Sequence, residues 1–452
     1  MRIESLEAFG MPPVVLAALM ERYGEELLPV QERAVRELDI LGGGDGLVAA
    51  PTSAGKTLVA ELAVLKAVVG GGRAIIVLPT RALVEDKVAD LEDAYEGIGL
   101  RVVAGTRERR EHEWALRRRD YDVAVVVYEK LASLLVSVPD YLDGVALVVL
   151  DELQTLSDPV RGWHAQWVLH CLSEVRGYGG TPQLLGLTAD LGGAPGLAGQ
   201  LGVAKVTDDV RPVPLRVGVL QGGVFHYRAA PDRPWERETW LHDSPADEWD
   251  EPDDVRRGQM RAAAAELLDR GRRVMCFLPS KHECHALARD LAEELEAGDP
   301  PVLRRLAQLP ETTAAARLAP LLARGIGVHH GDLPGELRAV VEEAARAGEL
   351  RCLVATTTLA SGVNLPVDVV LVDPRRWTPG ERGWVADRVS RSEFEAMAGR
   401  AGRLGPGERP ERGDAALVAA TALEAQGLME TYFDDRGGPE PAELDPAGLP
   451  LW

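Results

Sequence analysis

From about residue 46 to 190 the chain repeats one pattern: a short, solidly apolar run followed by a stretch with apolar positions at helical spacing. The runs are GLVAA, AIIVLP, RVVAG, VAVVVY, ALVVLDE and LLGLTAD. A strand with no polar alternation must be covered on both faces. The pattern therefore predicts an α/β domain with a parallel sheet between helices. It stops over 205–258, where RPVPLRVG leads into the acidic APDRPWERETWLHDSPADEWDEPDD. Prolines, tryptophans and acids without periodicity predict a connector and surface excursion. A second set then begins: RVMCFLPS, IGVHHGDL, LRCLVATTT, VDVVLVD and AALVAA. The expected organisation is a first domain over 1–215, a connector or insertion over 216–258, a second α/β domain over 259–430, and an irregular tail over 431–452.

The first strand runs into APTSAGKT (50–57) and then into LVAELAVLKAVV, a good helix. Strand, glycine-bearing loop and helix together form a phosphate cradle. Backbone N–H groups of Thr52, Ser53, Ala54 and Gly55 and the helix N-terminus face the anion. Lys56 is expected to reach the β- and γ-phosphates, and Thr57 to place its hydroxyl on Mg²⁺. Ala50 stands where the simple loop pattern has glycine. The run ALVVLDELQ supplies the second element, an apolar strand that ends in two carboxylates. Asp151 is the expected Mg²⁺ ligand. Glu152 is expected to orient or deprotonate the attacking water. These two elements leave a small-molecule kinase, a transporter ATPase and a motor all open.

Composition narrows this only a little. A chain of 452 residues, 46% hydrophobic, has ample material for two or three cores. The net charge of −21 is the opposite of a basic nucleic-acid footprint. A motor still has the alternative of gripping phosphates in a local groove and through backbone amides. The basic stretch RERREHEWALRRRD (107–120) suits either a strand-side position or a solvated helix. Cys171, Cys276, Cys284 and Cys352 form no CxxC pair, as expected of reduced thiols. KHECH (281–285) is read as a helix with one buried face rather than a metal site. No apolar run is long enough for a bilayer, and the N-terminus MRIESLEAFG has no apolar signal core. The expectation is a cytoplasmic protein.

Further motifs decide among the options. LPTRALVEDK (78–87), YEKL (128–131), DELQ and LTAD (187–190) resemble the first motor domain of superfamily 2 helicases. VHHGDLPGELRAVVEEAARAGELRCLVATTTLASGVNLP (328–366) and EFEAMAGRAGR (393–403) resemble the second domain of the DExH branch, in its superkiller-like group. That group includes exosome helicases and archaeal repair helicases. The resemblance covers about residues 25–404, with motifs in family order, and APTSAGKT with Ala50 is typical of the group.

The resemblance implies two tandem RecA-like domains with an ATP cleft between them. It also implies ATP-dependent movement along single-stranded nucleic acid, 3′→5′, with DNA favoured over RNA. Gln31 matches the glutamine that reads adenine. Pro79, Thr80, Arg81, Glu129 and Lys130 match strand-backbone motifs, and Thr188 the residue coupling hydrolysis to strand binding. Thr356 and Ser361–Asn364, with Gly362 on the nucleotide side, fall in a motif touching both ligands. Arg400 and Arg403 match arginines that reach the phosphates across the cleft.

Three positions depart from the family pattern. Gln154 replaces the histidine that ends the acidic box, Ala396 replaces a glutamine, and LTAD replaces a Ser-Ala-Thr-type triplet. The family contact between the first two positions is thereby lost, which predicts a different coupling of hydrolysis to the strand. It also motivates an alternative: a helicase-like ATP-binding scaffold with little unwinding. DPRRWTPGERGWVADRVSRS (373–392) suits the β-hairpin that helps split the duplex in relatives, with Pro379–Gly380 at the turn and Trp377 available to stack on a base. Relatives continue well beyond the last motif, so a protein partner is expected to supply the enclosing domains.

Overall fold

The computed structural model describes all residues except 52–53, 107–108, 139, 158–161, 178–181, 190–193, 209–210, 212, 230–232, 243–250, 358–366, 381–382, 403–411 and 434–452. The chain divides into two units, Met1–Arg211 and Pro212–Glu440. Thr52, Ser53, Ser361–Asn364 (with Gly362), Arg403 and the tail beyond Phe433 lie outside the described residues.

The strands of the first unit are β1 (Gly46–Ala49), β2 (Arg73–Leu78), β3 (Val102–Gly105), β4 (Val123–Val127), β5 (Val145–Leu150), β6 (Gln183–Thr188) and β7 (Ala204–Thr207). They form one sheet in the order β3-β4-β2-β5-β6-β1-β7, and every pair in it is parallel. The solid apolar runs explain the two-sided packing. Ala74, Ile76 and Leu78 of β2 enter one core with the helix Lys56–Val69. Ile75 and Val77 enter the other with the helices Tyr128–Ser137 and Gly162–Gly177.

The second unit holds β8 (Leu215–Gln221), β9 (Val224–Arg228), β10 (Glu236–Thr239), β11 (Val274–Leu278), β12 (Ile326–His329), β13 (Cys352–Thr356), β14 (Val369–Val372), β15 (Arg375–Gly380), β16 (Gly383–Arg388) and β17 (Gly413–Val418). Eight of these form a sheet in the order β10-β9-β8-β17-β14-β11-β13-β12. Here the structure corrects the expected connector. Leu215–Gln221 pairs in parallel with β17, and β9 and β10 add antiparallel strands outside it. The reason is burial: Val219, Leu220, Phe225 and Trp240 join the core of the second unit. A weak alternation inside a proline-rich stretch hid those strands.

The remaining pair, β15 and β16, is an antiparallel hairpin in the segment expected to form one. KHECH opens the helix Lys281–Ala292, which buries Cys284, Leu287, Ala288 and Leu291. No helix among the described residues is long and apolar enough to cross a membrane.

Candidate nucleotide and strand site

In a parallel sheet all strand ends of one kind lie along one edge, and ligands gather at the carboxyl edge. In the first unit that edge carries the loop after β1, Pro79–Arg81 after β2, Glu129–Lys130 after β4, Asp151–Glu152 after β5 and Thr188 at the end of β6. Residues far apart in sequence are thus neighbours along one line.

The loop is shaped by Gly55. Its φ is +93°, and a Cβ there would lie 2.3 Å from Gln31 Nε2 and 2.9 Å from Leu28 Cδ1. Only glycine combines that backbone with that proximity. Ala50 is fully buried, and its N–H donates to Thr188 O at 3.1 Å, continuing the β1–β6 pairing. A methyl group therefore fits where no ligand approach is needed. Lys56 Nζ donates to the carbonyls of Ala50 and, at 3.1 Å, of Pro51, so the ammonium lies over the mouth of the loop. Ala54 is buried and Thr57 exposed in the first turn of the helix.

Gln31 has a duty the sequence did not suggest. Its Oε1 accepts from Leu28 N–H at 2.7 Å and its Nε2 donates to Gly55 O at 3.0 Å. The expected adenine reader is also a brace for the phosphate loop.

Asp151 and Glu152 are both half-buried at the end of β5. Removal from water and the neighbouring Glu152 carboxylate push the Asp151 carboxyl up to about 6, with Lys56 opposing. Glu152 takes a left-handed φ of +54°, and its N–H donates to Asp151 Oδ1 at 2.8 Å. That conformation is uncommon for a non-glycine residue and turns the chain sharply between the two carboxylates. Tyr128, whose hydroxyl is pushed well up by burial and the nearby acids, donates to Asp151 O at 2.9 Å. Concentrated negative charge of this kind suits a hard cation, for which Asp151 and the exposed Thr57 hydroxyl offer oxygen donors.

Gln154 answers the question its sequence position raised. Its Nε2 donates to Glu152 Oε2, while its Oε1 accepts from the Thr188 hydroxyl at 3.1 Å and from Ala189 N–H at 3.3 Å. An amide both donates and accepts, so one side chain joins the acidic box to the LTAD motif.

Among the expected strand contacts, Thr80 caps the helix Arg81–Tyr95 by accepting from Leu83 N–H at 3.4 Å. Pro79 is buried and Arg81 exposed beside it. Lys130 is not presented as an open charge: its ammonium pairs with Glu113, whose carboxyl it pulls down. The acids of the 107–120 stretch thus neutralise a neighbour. Glu129 is half-buried in the same first helical turn. In the second unit Thr356 ends β13 half-buried, Arg400 is buried directly after the helix Arg391–Ala398, and Trp377 on β15 is 47% exposed. Ala396 is half-buried within that helix.

The sequence reading missed a charge cluster behind the loop. Glu61, in the Lys56–Val69 helix, is fully buried. It accepts from Tyr23 OH at 2.8 Å and Tyr95 OH at 2.9 Å, pairs with Lys87, and lies 3.7 Å from Arg22. Burial and Glu61 push both tyrosine hydroxyls up. The phosphate-loop helix and the Thr80-capped helix are thereby cross-braced.

Two α/β units, the first with a phosphate loop and paired acids along its carboxyl edge, define a RecA-like motor core. Residues 28–192 match the DEAD/DEAH box helicase family, and residues 259–405 match the helicase conserved C-terminal domain. The chain is 35% identical over 431 residues to the ATP-dependent DNA helicase Hel308 of Pyrobaculum calidifontis, covering 92% of this chain and 56% of that protein. The Hel308 proteins of Caldivirga maquilingensis and Methanocella arvoryzae are 32% and 30% identical, over 95% and 90% of this chain and 54% and 53% of theirs. The chain belongs to the DExH-type superfamily 2 helicases, in the superkiller-like group that holds the archaeal repair helicases. It spans about half the length of these curated relatives. The expected protein partner finds no support in these relatives.

Proposed function

We propose that this chain is the motor core of an ATP-dependent DNA helicase that moves 3′→5′ along a single strand. The carrying observation is the Glu152–Gln154–Thr188 bridge, which ties the hydrolytic carboxylate to the strand-coupling motif. The relatives' names, all ATP-dependent DNA helicases, support ATP as fuel and DNA as track.

In this reading Lys56 and the amides of Thr52, Ser53, Ala54 and Gly55 hold the phosphates, while Gln31 fixes the loop and faces the base. Thr57 and Asp151 hold Mg²⁺, which supplies charge neutralisation at the transferred phosphoryl group. Glu152 orients the attacking water and accepts its proton. Gln154 passes a change at Glu152 to Thr188. Arg400 and Arg403, with Gly362, answer to the nucleotide from the second domain. Pro79, Thr80, Arg81, Glu129, Lys130 and Thr356 hold the strand, and Trp377 on the hairpin meets the duplex.

The test is phosphate release with and without single-stranded DNA and RNA. DNA should stimulate hydrolysis about ten-fold or more, and Lys56→Ala should lower the stimulated rate by about 10²-fold. Stimulation by RNA alone would replace the substrate. No response to either polymer would sink the motor reading.

A further inference from the structure

We infer that Arg376 is a positioning residue that couples the helix Arg391–Ala398, which leads into Arg400, to the β15–β16 hairpin. The inference rests on the helicase reading, in which Arg400 answers to nucleotide and the hairpin meets the duplex. It concerns a link that neither role by itself contains.

The two parts are consecutive in the chain. β16 ends at Arg388 and the helix Arg391–Ala398 begins after only Val389 and Ser390. A joint of two residues swivels unless something spans it. Arg376, on the opposite strand β15, spans it. Its Nη1 donates to both oxygens of Glu393, at 2.7 and 2.8 Å, and its Nη2 donates to Asp387 Oδ2 at 3.1 Å. One guanidinium therefore ties both strands of the hairpin to the first turn of the helix. A planar, delocalised cation suits this, since its donors point in fixed directions that a lysine ammonium lacks.

Glu393 is itself immobilised. It closes a capping box in which Ser390 N–H donates to its Oε2 at 2.6 Å and its own N–H donates to Ser390 Oγ at 3.2 Å. The helix is eight residues long, so about 12 Å separates its ends. Phe394 and Met397 are buried along it, and Phe394 packs edge-on against Tyr432 and Phe433. Tyr432 OH donates to Val389 O at the joint. A short, capped and packed helix moves as a rod. Arg400 N–H donates to Met397 O at 3.1 Å, so a displacement at Arg400 is carried through the helix to Glu393, and Arg376 hands it to the hairpin.

The neighbouring Arg375 does something different. It pairs with Asp253 at 2.5 Å, Asp373 at 2.7 Å and Glu283 at 3.1 Å, which roots the hairpin base on two other helices. The hairpin is thus pivoted at Arg375 and driven at Arg376.

The experiment compares the whole chain with Arg376→Ala, Arg376→Lys and Glu393→Gln. Strand-stimulated ATP hydrolysis in Arg376→Ala should stay within about two-fold of the parent, while base pairs opened per ATP fall about five-fold or more. Glu393→Gln should behave alike, the double variant should be no worse than either single one, and Arg376→Lys should recover part of the loss. Parallel loss of hydrolysis and unwinding, or an unchanged ratio, overturns the coupling. Hydrogen exchange of residues 375–388, with and without a non-hydrolysable ATP analogue, reads the link without any turnover. A nucleotide-dependent change that disappears in Arg376→Ala supports it. The same change in both proteins, or none in the parent, overturns it. A parent chain that neither hydrolyses ATP with DNA nor opens duplex would refute the helicase reading and leave the exchange result to judge the link.

Discussion

At the carboxyl edge of the first sheet, Asp151 and Glu152 stand side by side, and burial together with the Glu152 charge pushes the Asp151 carboxyl up to about 6. At the base of the second sheet Asp414, fully buried, accepts Arg216 Nε and Arg272 Nη1, each at 2.6 Å. Arg216 also pairs with Glu238 at 2.7 Å and lies 4.1 Å from the centre of the Tyr227 ring. One unit concentrates like charge at the edge where the proposed reading places a cation and phosphates. The other neutralises its buried charge internally and uses it as scaffold. The comparison teaches that buried charge marks a working site only where the protein leaves the charge unbalanced.

Opposite stability effects are expected at the two sites. The largest is expected at Asp414. Asp414→Ala strands guanidinium groups and should destabilise the second unit by about 3–5 kcal/mol, read as faster hydrogen exchange in β8, β14 and β17. A loss under about 1 kcal/mol would show that the network is not scaffold.

Asp151→Asn should move the other way. The folded-state pKa lies above the ordinary 3.8, so the native protein holds this proton more tightly than the unfolded chain. The group therefore subtracts stability at neutral pH, and that loss is relieved as pH falls through about 6. Asp151 is half-buried, which moderates the effect. The variant should gain about 1 kcal/mol at pH 7 and little at pH 4, measured by urea titration, while losing Mg²⁺-dependent hydrolysis. In the parent chain, nucleotide-dependent activity should fall below about pH 6, because a cation must displace the proton.

The smallest change is expected at Gln154. Gln154→Ala removes the bridge but no charge. It should reduce the stimulation by DNA about ten-fold and leave strand-free hydrolysis within about two-fold. Equal reduction of both rates would reassign Gln154 to the chemistry of Glu152 alone.

Much of this was legible in the chain. Solid apolar runs announced both sheets because a parallel strand needs no polar face. APTSAGKT and the acids after ALVVL announced the site because each is continuous in sequence. Sequence alone presents Gln154 through the residue it replaces, as a lost contact. The structure shows a gained one, since the amide, just past β5, finds Thr188 at the end of the neighbouring strand β6. Lys130 is expected at the strand from its motif, and only the structure shows that Glu113, seventeen positions away, pairs with it. Nothing in the helical run LVAELAVLKAVV singles out Glu61, which two tyrosines and Lys87 meet in the interior.

Two α/β units, the family and the candidate residues for phosphate and cation were all readable from the sequence. Those depend on local backbone geometry and on residue chemistry, both carried by a few adjacent positions. The tertiary structure alone decided which polar side chains pair with one another. It put β8–β10 into the second sheet, set Gln154 between two motifs, and laid Arg376 across the joint below the hairpin. Pairing depends on the distance between elements remote in the chain, and no local pattern encodes that distance.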